Sequence, residues 1–440
     1  MSMHHRKLGK FGAAVGLIVA GAIALAGCSS GGSTGGVTTV TVMYQANEFT
    51  PDMVKAFEKD NPDIKINLIE PDDARLNAMV TAGDPPDLVR SGPSANLFAR
   101  GLALPLDDYI AKSTVIKEAD LVAANDAWKW DGTTRGKGKR YGLLKDWSPD
   151  VSFWQNTQIL KDAGIEPFST TEPTTWDQLL TVAKQLKAAG VENAVGLEWQ
   201  WGLGGLLGAM VNQGGETLYN KDLTEINLEN PVAYRSLQWL ADYASSGAGV
   251  TSENPLADGW DLPSFQTGKM ALSLDGYWLG GNLAGDDAAS VRDHVQLIPA
   301  PTWEVGGKRY NPVVGGIGGY IPVGSKHPDQ AWRVMEYFFG GAPAEERSKS
   351  GWGLPALQSL WGNLPTALPF QASAVDTVNS ELKYIAIGED SPYLTGTVLT
   401  DALNSEIIAL SKGQISVEDA AKKIQDQVNV VLKETKDQLG

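Results

Sequence analysis

The sequence predicts an α/β fold divided between two lobes, on two grounds. Its 440 residues exceed what one compact core usually takes up. Over 37–103, short β-branched runs alternate with amphipathic ones at the spacing of a parallel sheet. VTTVTVMY (37–44) reads as a strand, followed by Gln45-Ala46-Asn47-Glu48 and a helix with Thr50 as cap and Pro51 in its first turn. IKINLIE (64–70) is a second strand and DDARLNAMVTAG a second helix. GDPPDLV (83–89) delivers a third strand, with a helix through Ala103. In open sheets of this kind ligands bind at the carboxyl ends of strands. Gln45–Glu48 and Arg90–Ser94 are the first two such ends.

Farther along, WKWDGTTRGKGKRYGL (128–143) predicts a hairpin with a Gly-rich, basic tip. VSFWQN (151–156) is a strand that runs into a helix from Thr157. Thr175 caps a helix that Gly190 ends. AVGLE is a short strand ahead of Glu198-Trp199-Gln200-Trp201, and helices follow at 203–213 and 231–243, the second capped by Asn230. HVQLIPAP (294–301) is a strand, GGYIPVGSKHPDQAWRVMEYFFG reads as strand, turn and helix, and the remainder is mostly helical.

Composition narrows the function. A formal net charge of −16 repels nucleic acid and anionic membrane surface, so neither is an expected partner. All 14 tryptophans lie beyond residue 127. Trp joins a flat apolar face to one N–H, and an excess of it suits a surface that meets an amphipathic ligand, although large cores account for many of them.

At the N-terminus MSMHHRKLGK is basic, FGAAVGLIVAGAIAL is apolar, and AGCSSGGSTGGV is small and polar. This is the order of a secretory signal, with an apolar run short of the ~20 residues of a membrane span. Leu25-Ala26-Gly27-Cys28 resembles the bacterial lipoprotein box, in which the cysteine becomes the lipidated first residue. Residues 1–27 are then the signal peptide, and 28–36 are Cys28 with a flexible Ser/Gly tether. Cys28 is the chain's single cysteine, so no internal disulfide forms and stability rests on core burial.

Catalytic signatures are sparse. Of four histidines, His4 and His5 leave with the signal, and His294 and His327 stand apart. No metal site, nucleophilic triad or phosphate loop is expected, and no cofactor. GLGGLLG (202–208) misses the dinucleotide fingerprint because Leu207 occupies its third glycine position. A glycosidase needs only two carboxylates, however, and 52 acids offer many pairs.

Five segments carry a family resemblance when taken together. They are the lipobox with the strand ending in Gln45–Glu48; GDPPDLVRSGPSANLFARGLALPLDDYI (83–110); FQTGKMALSLDGYW (265–278); GGIGGYIPVGSKHPDQAWRVMEYF; and SKGQISVEDAAKKIQ. In this order, over nearly the whole mature chain, they resemble a family 1 extracellular solute-binding protein. The resemblance implies a type II, maltose-binding-like periplasmic-binding-protein fold with hinge crossovers and a ligand cleft between its lobes. Crossovers near Lys145–Ser152 and Pro301 would divide the chain into lobe 1 (37–145 plus 303–345) and lobe 2 (146–302 plus 346–440). It also implies a monomeric, non-enzymatic receptor, tethered outside the cytoplasmic membrane by lipid alone. Such a receptor delivers carbohydrate to ABC permease subunits served by a separate ATPase.

A pyranose shows apolar C–H faces and a rim of hydroxyls, so its site needs aromatic faces and short polar groups. The resemblance puts Trp278 at the stacking position, with Asp275-Gly276 and Gly280-Gly281 letting the backbone approach the ligand. Tyr277 either joins Trp278 or packs beneath it. Glu198 falls where the family has an acid followed by aromatics. Trp199 and Trp201 would share a strand face, one in the cleft and one over the following helix. Trp352 stacks on ligand or packs between lobes. The polar candidates are Gln45, Asn47, Glu48, Ser94, Asp146, Arg347 and Tyr393, with a backbone N–H from Gly316. Arg90 is the one cation near a predicted strand end, which favours a neutral sugar, a di- or oligosaccharide, over a phosphorylated one. The alternatives are a glycerophosphodiester, polyamine or peptide in the same fold, or a secreted glycoside-active enzyme.

Overall fold

The computed structural model describes residues 36–200, 202–313, 316–394 and 396–439. The signal peptide, Cys28 and all but the last residue of the tether lie outside the described residues.

Two sheets organise the chain. The first has five strands in the order Ile64–Ile69, Thr38–Met43, Leu88–Ser91, Gly318–Tyr320 and Leu143–Leu144. Its first three strands are parallel, as the alternation predicts, with Val42 opposite Leu88. The last two pairings are antiparallel, because both strands come from outside the alternating segment. The second sheet runs Val295–Ile298, Phe153–Asn156, Met270–Ser273, Asn193–Gly196. The chain leaves the first sheet after Leu144 and enters the second at Phe153, then returns after Ile298 to reach Gly318. A third connection is the parallel pairing of Asn311–Val313 with Ile385–Ile387.

Local chemistry explains most element ends. Thr50 Oγ1 accepts from the Met53 N–H, and Thr175 forms a reciprocal capping box with Gln178. Asn230 accepts from the Ala233 N–H ahead of Pro231–Ser246. The 128–143 hairpin forms between Lys129–Trp130 and Lys139–Arg140. The helix expected through Ala103 is only the short Ala95–Ala99.

Many tryptophans are core. Trp176, Trp239 and Trp199 are each no more than 3% exposed and pack under the second sheet with Tyr243. Their indole N–H groups are satisfied: Trp176 donates to Gln213 Oε1 (2.6 Å), Trp239 to the Trp176 carbonyl (2.8 Å) and Trp199 to Asn404 Oδ1. Under the first sheet Tyr44, Phe49, Phe57, Phe338 and Phe339 form a separate core. Val398–Ser411 and Val417–Leu439 pack on Pro231–Ser246. No helix among the described residues is long and apolar enough to cross a membrane.

Asn311 ties the connections together. Its Oδ1 accepts from the Val151 N–H (3.0 Å), while Nδ2 donates to Ser152 Oγ (3.0 Å) and Glu381 Oε2 (2.8 Å). A fully buried amide that meets both crossings and the Pro369–Glu381 helix holds them in register.

Candidate functional site

A cavity of about 300 Å³ lies where the two sheets face across the 145–152 crossover. From the first-sheet side it is lined by Glu48, Arg90 and Ile317, and the crossover supplies Lys145, Asp146, Trp147, Ser148, Asp150 and Val151. From the second-sheet side come Leu197, Glu198, Leu206, Leu274 and Trp278, with Trp352 from a glycine-flanked loop.

The turn at Asp275-Gly276 decides how Trp278 enters. Gly276 has φ 54°, and a Cβ there would lie 2.2 Å from Ser148 Oγ, so only glycine lets the turn press on the crossover. The turn is pinned there, since the Gly276 N–H donates to the Ser152 carbonyl (3.1 Å) and the Gly276 carbonyl accepts from the Trp154 indole (2.5 Å). The Tyr277 N–H donates to Ser148 Oγ (2.8 Å). Past this turn Tyr277 points inward and Trp278 outward. Trp278 stands at 60° to Trp352, ring centroids 5.9 Å apart, and parallel to Trp260 at 6.3 Å. Trp278 and Trp352 thus form an apolar corner of the cavity, with Trp260 against Trp278. Gly281 serves this corner rather than ligand approach: a Cβ there would lie 2.9 Å from the Trp352 backbone.

Opposite the corner runs a chain of alternating charge. Arg90 donates to Glu48 (2.8 Å), Lys145 pairs with Glu48 (3.1 Å) and Asp146 (2.8 Å), and Arg347 stands 3.7 Å from Asp146. Burial raises the Glu48 carboxyl, but the Arg90 hydrogen bond and the Lys145 charge outweigh it and hold Glu48 below the ordinary glutamate range. Both cations of the cavity wall are thereby committed to carboxylates.

Behind Glu198 lies a second acidic group. Glu198, Asp261 and Asp275 are each no more than 3% exposed, and an oxygen from each lies within 4.8 Å of the others. Burial, then the neighbouring carboxylates, raise Glu198 to about 11 and Asp261 to about 7, and burial raises Asp275 to about 6. Glu198 has φ 48°, a left-handed conformation strained for a non-glycine residue.

Of the residues predicted from sequence, the cavity brings together Glu48, Asp146, Glu198, Trp278 and Trp352. The other described ones stand outside its wall. Tyr277, 2% exposed, is packed in the core, because the turn sends successive side chains to opposite sides. Trp199 is core as well, stacked on Tyr243 at 5.7 Å: the strand ends at Gly196 and the chain turns at Glu198, so strand alternation does not govern it. Trp201 lies outside the described residues. Asp275 sits behind the wall, accepting from Ser273 Oγ. Asn47 is exposed in its loop, and Gln45 spends its carbonyl on the Glu48 and Phe49 N–H groups. Ser94 lies instead at a separate cavity of about 400 Å³ with Asn96 and Arg135, since its helix starts beyond the strand end. Gly316 is wedged against Leu144 and Val313, leaving Ile317 to face the cavity. Arg347 is held behind Asp146 and over the Phe338 ring, and Tyr393 packs on the second-sheet core.

Sequence reading weighs Trp147, beside Asp146, for either the cleft or the crossover, and the cavity takes it. It passes over Lys145, Ser148 and Asp150, three polar residues inside the predicted crossover, the segment adjacent to both sheets. Arg90, the cation near a predicted strand end, lines the cavity as well.

Comparison with known proteins agrees with this architecture. A binding protein of Brucella abortus is 27% identical over 337 residues, covering 71% of this chain and 74% of its own. Among solved structures, the fold is similar to an ABC substrate-binding protein of Listeria monocytogenes in complex with cycloalternan. That match has TM-score 0.74 and 22% identity, over 90% of this chain and 98% of the other. It is also similar to the galacto-N-biose-/lacto-N-biose I-binding protein of a Bifidobacterium longum ABC transporter, with TM-score 0.69, 19% identity, and 92% and 99% coverage. The sugar-binding protein MalE of Xanthomonas citri matches at TM-score 0.68 and 18% identity, over 91% and 98%. Such identities establish the fold, the two-lobe type II arrangement of which MalE is an example. Residues 44–342 match the bacterial extracellular solute-binding protein family, a span holding all of the second sheet and all of the cavity lining but Trp352, and it is to this family that the chain belongs.

Proposed function

We propose that the protein is the substrate-binding lipoprotein of a carbohydrate ABC importer, holding a neutral sugar between two lobes that close over it. The observation that carries this reading is the Trp278–Trp352 corner facing a wall of hydrogen-bonding groups. The corner suits the C–H faces of a pyranose and the wall its hydroxyls. A phosphorylated sugar fits poorly, because Arg90 and Lys145 are already bound to Glu48 and Asp146. The solved relatives named for cycloalternan and lacto-N-biose support the ligand class. The cavity volume is at the lower end of the small-molecule range, which suits a short sugar.

In this reading the lobes are 37–145 plus 303–345 and 146–302 plus 346–440. Ligand touches both, so it binds the closed form more tightly and shifts the population toward it. The receptor is monomeric and catalyses nothing. It hands its cargo to membrane permease subunits driven by a separate ATPase, and needs no cofactor.

Thermal shift of residues 37–440 against mono-, di- and oligosaccharides, glycerophosphodiesters and polyamines tests the ligand class. At a sugar concentration ~100-fold above Kd the folded state gains about 2.7 kcal/mol, and the midpoint rises. A shift with a phosphodiester or amine and with no sugar overturns the substrate class while leaving the fold. Release of product from an oligosaccharide reveals an enzyme instead. For the anchor, Cys28→Ser in the full-length chain is expected to move the protein from the membrane fraction to the soluble extracytoplasmic one. Unchanged membrane retention refutes lipidation at Cys28.

A further inference from the structure

The carboxyl group of three has no use in the reading so far beyond one face of Glu198. Three ionised carboxylates this close together in a protein interior are not sustainable, so neutralising charge has to be present. Among the described residues no Lys, Arg or His pairs with any of them. One oxygen of each is already spoken for. The Glu198 N–H donates to Asp261 Oδ2 (3.1 Å), the Asp261 N–H to Glu198 Oε1 (3.3 Å), and Ser273 Oγ to Asp275 Oδ2.

An independent observation identifies what is missing. Asp275 Oδ1 is buried without a hydrogen-bond partner, on a residue that is 1% exposed. A buried carboxylate oxygen requires a donor. The group in reach is the Glu198 carboxyl, which donates only when protonated.

We propose that Glu198, Asp261 and Asp275 form a proton-holding unit. A proton on Glu198, shared with Asp275, makes the carboxyl that faces the cavity a neutral hydrogen-bond donor, so that it recognises a hydroxyl-bearing ligand. This rests on the ligand reading above and makes it more specific: Glu198 meets the ligand as a neutral acid, and Asp261 and Asp275 are positioning residues that act through it.

The Met270–Ser273 strand and the Leu203–Gln213 helix carry no ionisable side chain. Tyr243, whose hydroxyl donates to the Val195 carbonyl (2.7 Å), is raised well above its ordinary value by burial and then by the Asp261 charge. Glu48, Arg90, Lys145, Asp146 and Asp150 line the same cavity from the first sheet and the crossover.

The pH dependence has a definite sign. All three carboxyls are raised, so each binds its proton more tightly folded than unfolded. Their stabilisation is greatest below the unfolded value of ~4. It declines as pH rises through about 6 for Asp275 and about 7 for Asp261, and for Glu198 it continues to decline toward about 11.

Infrared spectroscopy and thermal melting of ligand-free protein from pH 5 to pH 9 test this. The wild type is expected to show a protonated-carboxyl band at pH 8 and a midpoint that falls as pH rises. Glu198→Gln, a permanently neutral donor of the same shape, is expected to lose that band and to flatten the fall. If that variant does not fold, Asp261→Asn is expected to flatten the step near neutrality. No protonated carboxyl in the wild type at pH 8, or equal slopes in wild type and variants, overturns the proposal. So does a rise in the wild-type midpoint with millimolar CaCl2 that EDTA reverses and Glu198→Gln lacks, which would assign the charge to a cation. These readouts need no sugar, so their failure is distinct from failure of the ligand class.

Discussion

Glu48→Ala is expected to destabilise the protein by about 3–5 kcal/mol, the cost of breaking a buried ion pair by removing one partner. Glu48 is the common acceptor of Arg90 and Lys145, and the Lys145 side chain is only 2% exposed. Its removal leaves Arg90 without its partner and Lys145 with Asp146 alone. Chemical denaturation at pH 7 measures the loss. Glu48→Gln keeps the shape and one acceptor, and should cost less. The pH dependence supplies a second check. Because the folded carboxyl is held below the ordinary range, its contribution is complete above the unfolded value of ~4.3 and is lost as pH falls through the folded one. The stability gap between wild type and Glu48→Gln should therefore shrink toward pH 3. A gap that stays constant, or a Glu48→Ala variant as stable as the wild type, removes the network from the account of stability.

Trp278→Ala is expected to weaken the sugar identified by thermal shift by at least ~30-fold, about 2 kcal/mol, as for a buried aromatic anchor. Trp278 is half-buried, with Trp260 parallel to it and Trp352 at an angle. The substitution removes the surface that would meet a C–H face, and it leaves Trp260 and Trp352 without their ring contact. Some loss of stability is therefore expected too. Titration calorimetry separates the two effects, since affinity of the folded fraction is read directly. Tyr277→Phe is the control: the Tyr277 ring is core and outside the cavity wall, so affinity should hold within about twofold, a few tenths of a kcal/mol. Equal losses in both variants would mean that the segment is sensed as a whole and that stacking on Trp278 is not the cause.

These expectations rest on features of unequal visibility in the sequence. Element starts were readable because their chemistry is local. Thr50, Thr175 and Asn230 accept from backbone N–H groups three residues on, and such caps work in almost any tertiary setting. The parallel pairing of the first three strands followed from alternation for the same reason: a parallel pair needs a crossover helix, and the sequence shows one between each pair. The family resemblance pointed to Trp278, Trp352 and Glu198, the first strand end to Glu48 and the crossover to Asp146, and all five line one cavity.

Orientation and charge state were not readable. Tyr277 and Trp278 are adjacent and similar, and what separates them is a turn pressed on Ser148, 129 residues away in sequence. Trp199 and Glu198 are likewise neighbours, one core and one cavity wall, because the strand ends early and the chain turns at a left-handed residue. Lys145 reads as an ordinary surface lysine until the crossover is seen buried between two acids. Thus sequence determined the family, the fold class and where helices begin, all set by short-range bonding and recurrent pattern. Tertiary structure alone decided which face of each turn meets the cavity and which carboxyls share a proton, because those depend on groups that are distant along the chain and adjacent in space.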